Sequence, residues 1–293
     1  LYAIFGALMI GVSPAYFFSL YTTNFSIHDY SKGLEWLKQN DFGGFQLEVF
    51  AREKLDEWLS GAELLSLKAR DLNLAATQFV AHFLLYSTRN SENLAATTGY
   101  DDMKRVLDIV SKFPDCTIIT LPLAPFEFEK NKSFSKDEWA RLWDMFRSRL
   151  LAFDQIVVSG GCKLALEIVP GSLLGGTEGL MHLIAETGNT TIGYNFDTGH
   201  AFSSKEAIAT LPAKLAGRIY GTHLKDNFGA ENLALPPGEG SIPWASVLDG
   251  LRQNGYSGSY DLEIASKSAD MVERDYRKGK MTVSGVLDAS KYR

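Results

Sequence analysis

Residues 191–202 read TIGYNFDTGHAF. The first six positions are a run dominated by β-branched, apolar and aromatic residues, with Gly193 and Asn195 between them, that favours a strand; the run ends on Asp197, with His200 three residues further on. An acid at the end of a buried strand is costly unless something pairs with it. The same pattern recurs: LALEIVPG carries Glu167, YGTHLKD carries His223 and YDLEIAS carries Glu263, each behind a mostly apolar run.

Working outward from these four, short runs rich in Val, Ile, Phe and Tyr alternate with stretches of helical periodicity. Strands are expected at 10–18 (IGVSPAYFF), 44–50 (GFQLEVF), 75–83 (AATQFVAHF), 117–124 (TIITLPLA), 163–169 (KLALEIV), 191–196 (TIGYNF), 218–224 (RIYGTHL) and 258–264 (GSYDLEI). Most read as apolar on both faces, as strands covered by helices should. Between them lie expected helices such as IHDYSKGLEWLKQ, YDDMKRVLDIVSKF and TEGLMHLIAET. A further helix opens on Ser135 with Glu138 three residues on, a capping box, and Gly255 closes WASVLDGLRQNG. Eight such βα units without a break in composition predict a single (β/α)8 TIM barrel over residues 9–293. A doubly wound open sheet is the alternative, but SPAYFFSLYTTN after the first strand lacks the glycine-rich turn that fold uses for phosphates.

With 293 residues, 45% hydrophobic and 22% charged, the chain has ample material for a core. Its formal charge of -6 argues against a nonspecific nucleic-acid binder. Cys116 and Cys162 lack C-x-x-C spacing and read as free structural thiols of a reducing compartment, hence a cytoplasmic protein. LYAIFGALMIG is too short to span a bilayer and lacks a basic leader and an A-x-A-type cleavage site; residues 1–8 are read as an added or leader segment ahead of Met9. No membrane association is expected, and homo-oligomerisation is left open.

In a barrel the chemistry gathers at the carboxyl ends of the strands. Taken singly, Glu167, Asp197, His223 and Glu263 could each be a strand-end cap or an ion-pair partner of Lys163, Lys225 or Lys267. Four in register on successive strands favour one divalent metal ion instead. Three carboxylates and one imidazole suit Mn²⁺ first, with Mg²⁺, Co²⁺ or Zn²⁺ as competitors.

GFQLEVF, LEIVPGSLLGG, NFDTGHAF, HLKDNFG, PPGEGSIPW and YDLEI together resemble the xylose isomerase-like TIM barrels, the sugar phosphate isomerase/epimerase superfamily, over nearly all of the chain after Met9. The resemblance implies that Glu167, Asp197, His223 and Glu263 bind the metal and that His200 helps hold substrate. It further implies an isomerase or epimerase acting on a small carbohydrate or polyol through an enediolate, with Glu167 and Glu263 as acid and base. Lys225, two residues after His223, is expected to contact substrate, with Asp226 orienting it. Glu48 and His82 are weaker candidates for the pocket, and Tyr16, Phe17, Phe83 and Trp244 for an apolar wall. PGSLLGG reads as a turn, because nothing after it completes a P-loop. KDNFGAEN carries no arginine where the ketose 3-epimerases have one. A lyase or dehydratase of the same family, acting on a keto-inositol, dehydroshikimate or a 3-keto-glycoside, is the close alternative; an endonuclease IV-like phosphodiesterase is remote, since LALPPGEG stands where an Asp-x-His pair would be.

Overall fold

Eight short strands ring the centre of the molecule: β1 (Ile10–Val12), β2 (Gly44–Glu48), β3 (Ala75–Val80), β4 (Ile118–Leu123), β5 (Lys163–Ile168), β6 (Gly193–Asp197), β7 (Ile219–His223) and β8 (Tyr260–Leu262). The structure is a computed structural model that describes residues 9–289, so the expected leader segment 1–8 lies outside the described residues. All neighbours pair in parallel, in the order β7-β6-β5-β4-β3-β2-β1-β8. The ring closes between β7 and β8 at the Leu224–Leu262 bridge, where Leu224 N donates to Asp261 O at 2.8 Å and Glu263 N donates to Leu224 O at 3.0 Å. The fold is the single (β/α)8 barrel expected from the alternation of strands and helices.

Helices flank the ring, among them Ile27–Gln39, Leu55–Asp71, Tyr100–Val110, Lys136–Ser159, Thr177–Thr187, Trp244–Gln253 and Ala269–Ala289. The capping box read at Ser135 is present, with Ser135 Oγ accepting from Glu138 N and Glu138 Oε2 from Ser135 N. Ser26 and Asp29 form a second one. Between strands and helices lies the apolar core, where Tyr30 stacks on Phe17 and meets Trp58 edge-on, all fully buried. Each such side chain contributes about 1.5–3 kcal/mol by leaving water.

Inside the barrel the side chains are polar. Gln78 on β3 reaches across to Asn195 on β6 (3.1 Å), Thr120 on β4 donates to Gln78 (3.0 Å), and Gln46 on β2 donates to Asp261 on β8 (2.9 Å). Gly11 and Gly221 leave room for this layer, because a Cβ there would collide with Asp261 or with Gln78 and Asn195. The strands are therefore apolar toward the helices but not on both faces.

The first expected strand is too long. It stops at Val12, and Ala15–Tyr21 is a helix. Pro14 has no N–H for a ladder and a φ of -58° suited to a helix start, while Ser13 Oγ accepts from Ala15 N at 3.1 Å. The third strand likewise ends at Val80, and His82 opens a short 3₁₀ segment to Thr88. Tyr16, Phe17 and Phe83 are buried in the core, and Tyr16 stacks on Trp36.

Candidate active site and metal centre

The carboxyl ends of β5 to β8 bring Glu167, Asp197, His223 and Glu263 together, with one ligand atom of each within 4.8 Å of the others. His223 Nδ1 is the centre. It lies 3.5 Å from Glu167 Oε2, 3.6 Å from Asp197 Oδ2 and 3.4 Å from Glu263 Oε2. Glu263 stands one residue beyond β8, held there by its backbone bond to Leu224.

Local sequence explains how Asp197 and His200 come to share the site. Asp197 is the N-cap of a helical turn, Thr198–Ser203, and its Oδ1 accepts from His200 N at 2.8 Å. Thr198-Gly199 is thus the first turn of a helix rather than a free loop. His200 Nε2 faces Glu167 Oε1 at 3.4 Å and Asp197 Oδ2 at 3.6 Å. Gly199 is required by close approach, because a Cβ would collide with Asn232 and with the Lys225 stem.

Lys225 is buried, with Nζ 2.7 Å from Asp197 Oδ2 and in contact with Glu263 Oε2. It sits inside the acidic cluster rather than on a solvated loop. Asp226 does not orient it. The Asp226 carboxylate accepts instead from Asn227 N (2.9 Å), Gly238 N (2.9 Å), Ile242 N (3.1 Å) and Trp244 Nε1 (2.8 Å), pinning the loop that follows β7. Trp244, expected in an apolar wall, is a buried member of that hub. The loop also supplies Asn232, whose Nδ2 lies 3.2 Å from His200 Nδ1. Asn232 was not singled out from the sequence, since no strand register points to it.

Glu48 ends β2 buried, with Oε2 lacking a hydrogen bond. His82 is partly buried and stacks on Phe50, ring centroids 4.2 Å apart. Both feel the charges of Glu167 and Glu263. His28 and His182 are on outer helices, His182 beside Trp143. PGSLLGG leads into the helix at Thr177, whose N-terminus is taken by the Glu206 carboxylate through Thr177 N (3.2 Å) and Oγ1. The chain's own carboxylate thus holds the end of the helix where an anion would otherwise bind. Cys116 and Cys162 are free buried thiols.

Burial pushes the Glu167 carboxyl up, but His223 and His200 beside it win and hold it well below the usual carboxylate range. Burial acts likewise on Asp197, where His200, Lys225 and His223 pull it down to about 2. Burial would lower His223 and Lys225, yet the facing carboxylates raise both. Glu48 behaves oppositely: burial, then repulsion from Glu263 and Glu167, pushes it well above the ordinary value, which suits a protonated acid. For Glu167 and Asp197 the folded state binds fewer protons than the unfolded chain, so their stabilisation is complete above the ordinary carboxylate value and disappears as pH falls through the depressed one. The metal-free protein is expected to lose tertiary structure between about pH 4 and 2. An acid titration followed by near-ultraviolet circular dichroism checks this; a transition already complete at about pH 5 contradicts it.

The residues present fit a divalent cation. His223 Nδ1 and Asp197 Oδ2 are buried without a hydrogen bond, although the Lys225 ammonium stands beside Asp197 outside hydrogen-bond alignment. Three carboxylate oxygens around one imidazole nitrogen are a donor set that suits a divalent cation once Nδ1 gives up its proton.

L-ribulose-5-phosphate 3-epimerase UlaE of Escherichia coli is 30% identical to this chain over 80 residues, which cover 25% of this chain and 28% of that protein. The chain spans less than half the length of the curated relatives it matches. Among solved structures, an L-ribulose 3-epimerase superposes with a TM-score of 0.74 at 16% identity, over 98% of this chain and 96% of its own. The IolI protein, solved with a bound zinc atom, gives 0.72 at 15% identity, over 95% and 99%. At such identity these two structures speak to the fold alone. The family profile described as "Xylose isomerase-like TIM barrel" matches residues 34–281, a stretch that contains all four clustered strand-end residues, and the chain belongs to that family.

Proposed function

We propose that this protein is a metal-dependent epimerase or isomerase of a sugar or sugar derivative, with one divalent cation held by Glu167, Asp197, His223 and Glu263. The observation that carries the reading is the convergence of these ligand atoms within 4.8 Å around a buried imidazole nitrogen that has no hydrogen bond. An epimerase among its curated relatives points the same way. Three carboxylates with one imidazole favour Mn²⁺ as the resident ion. Bound there, the cation would polarise a substrate carbonyl and acidify the adjacent C–H.

The chain's own residues do the proton work. Glu167 and Glu263 come from β5 and β8 with β6 and β7 between them, so their carboxylates approach a bound sugar from different sides. One takes a proton from carbon and leaves an enediolate; the other returns a proton to another carbon or to the opposite face. Glu167 uses Oε2 toward His223 and Oε1 toward His200, and its depressed pKa keeps it ionised. His200 and Lys225 are placed to hold substrate oxygens as negative charge develops. The substrate is a small carbohydrate or polyol, and two free buried thiols suit a cytoplasmic setting.

The test is a screen of ketoses, keto-inositols and 3-keto-glycosides in D₂O with added Mn²⁺. Deuterium is expected to enter a C–H beside the carbonyl of at least one of them, and chelation is expected to stop it. Elimination of a group after exchange would identify the lyase chemistry. A protein that binds no divalent ion and exchanges no C–H in any of these compounds is not this enzyme.

A further inference from the structure

Beneath the four clustered residues runs a buried chain that belongs to no part of the reading above. Gln46 on β2 lies between His223 and Asp261, itself fully buried. Its Nε2 donates to Asp261 Oδ2 at 2.9 Å and to Thr222 O at 3.3 Å. Both partners only accept, so the amide nitrogen must face them, and Oε1 is left to face His223 Nε2 at 2.8 Å. An amide oxygen can only accept. His223 Nε2 therefore carries a proton in either charge state of the ring, and Nδ1, which faces Glu167, Asp197 and Glu263, is the nitrogen left to ligate a cation when its own proton is given up.

Asp261 anchors the far end. It takes Thr77 Oγ1 at 3.0 Å and Ser259 Oγ at 2.6 Å in addition to Gln46. Three donors converging on one carboxylate fix its position, and through Gln46 they fix the plane of the His223 ring. Gln78 Nε2 also approaches His223 Nε2, at 3.4 Å, but its shorter bond is to Asn195 Oδ1 at 3.1 Å. The Gln46 contact is the one that sets the ring.

We infer that Gln46, backed by Asp261, is a positioning residue that sets the tautomer and orientation of His223 and thereby tunes cation affinity at the site. The inference rests on the metal reading given above. Partners that hold the second nitrogen of a ligating imidazole typically change metal affinity about 10–100-fold when removed.

Gln46→Met keeps the length of the side chain and deletes the acceptor. Titration calorimetry with Mn²⁺ or Zn²⁺ alone is expected to show affinity about 10–100-fold weaker than in the unsubstituted protein. The exchange Gln46→Glu with Asp261→Asn rebuilds the two links of the chain at unchanged total charge: Glu accepts from His223 Nε2 and from the new amide, while the weaker bond to Thr222 O is given up and Thr77 Oγ1 turns to Phe45 O. That pair is expected to recover most of the affinity, whereas Gln46→Glu alone sets two carboxylates against each other and does not. A side chain that merely fills space would give no such dependence on the second substitution. If the unsubstituted protein binds the ion and Gln46→Met binds equally well, the inference falls while the metal reading stands. The same holds if the exchanged pair is folded and no better than Gln46→Glu alone. If the unsubstituted protein binds neither ion, the metal reading falls and takes the inference with it.

Discussion

Glu263→Gln is expected to leave the barrel folded and to slow solvent-deuterium exchange into substrate by about 10²–10⁴-fold, the usual worth of a positioned general base. The fold should survive because the main chain at Glu263 is held by its own bond to Leu224 O, and because the side chain is partly exposed at the mouth. Gln has the same shape but cannot take a proton from carbon. It also loses the charge that faces His223 at 3.4 Å and Lys225 Nζ. Metal content separates the two consequences. A variant that keeps its ion through Glu167, Asp197 and His223 yet no longer exchanges deuterium assigns proton transfer to Glu263; exchange at the original rate with the ion bound would move that role to another base.

Fold and cluster could be read from sequence for the same reason. Each clustered residue lies in the last positions of a strand, or just beyond it, and the strand's outward residues must be apolar to meet the helices, so an ionisable side chain there stands out against the run. The overlong first strand shows the limit of that reasoning. Tyr16 and Phe17 are as buried in their helix as strand residues would be, and a continuous apolar run does not tell the two apart; Pro14 was the cue.

The interior layer had a signal that a reading for apolar runs passes over. Side chains two apart on a strand share a face, and Gln46, Asn195 and Asp261 each stand two residues before Glu48, Asp197 and Glu263. Polar residues spaced in this way mark the barrel's inner face and the supports beneath its mouth. Asn232 and the role of Asp226 had no such cue. Their partners are loop backbone and a helix-borne histidine brought near by a turn-rich segment without periodicity, so only the folded chain shows what they touch.

Asp226→Ala is expected to be the most destabilising single change near the site, by about 3–5 kcal/mol. Four donors converge on this fully buried carboxylate, and Gly240 is packed so closely that a Cβ there would collide with it. Hydrogen bonds to a charged group are worth about 1.5–3 kcal/mol each, so simple addition over four would give a loss comparable with the whole stability of a typical domain. The sum is not reached, because the segment from Asn227 to Trp244 can open and let water satisfy the stranded N–H groups; the loss is capped at the cost of that opening. Urea unfolding should show the lower stability, and hydrogen exchange at Gly238 and Ile242 should quicken first. Opening also frees Asn232 from His200, while the four clustered residues stay on their strands. The variant should therefore keep its metal and show a raised KM for whichever substrate the deuterium screen identifies. Stability within about 0.5 kcal/mol of the unsubstituted protein, the range of an ordinary surface change, would mean that Asp226 does not hold the loop.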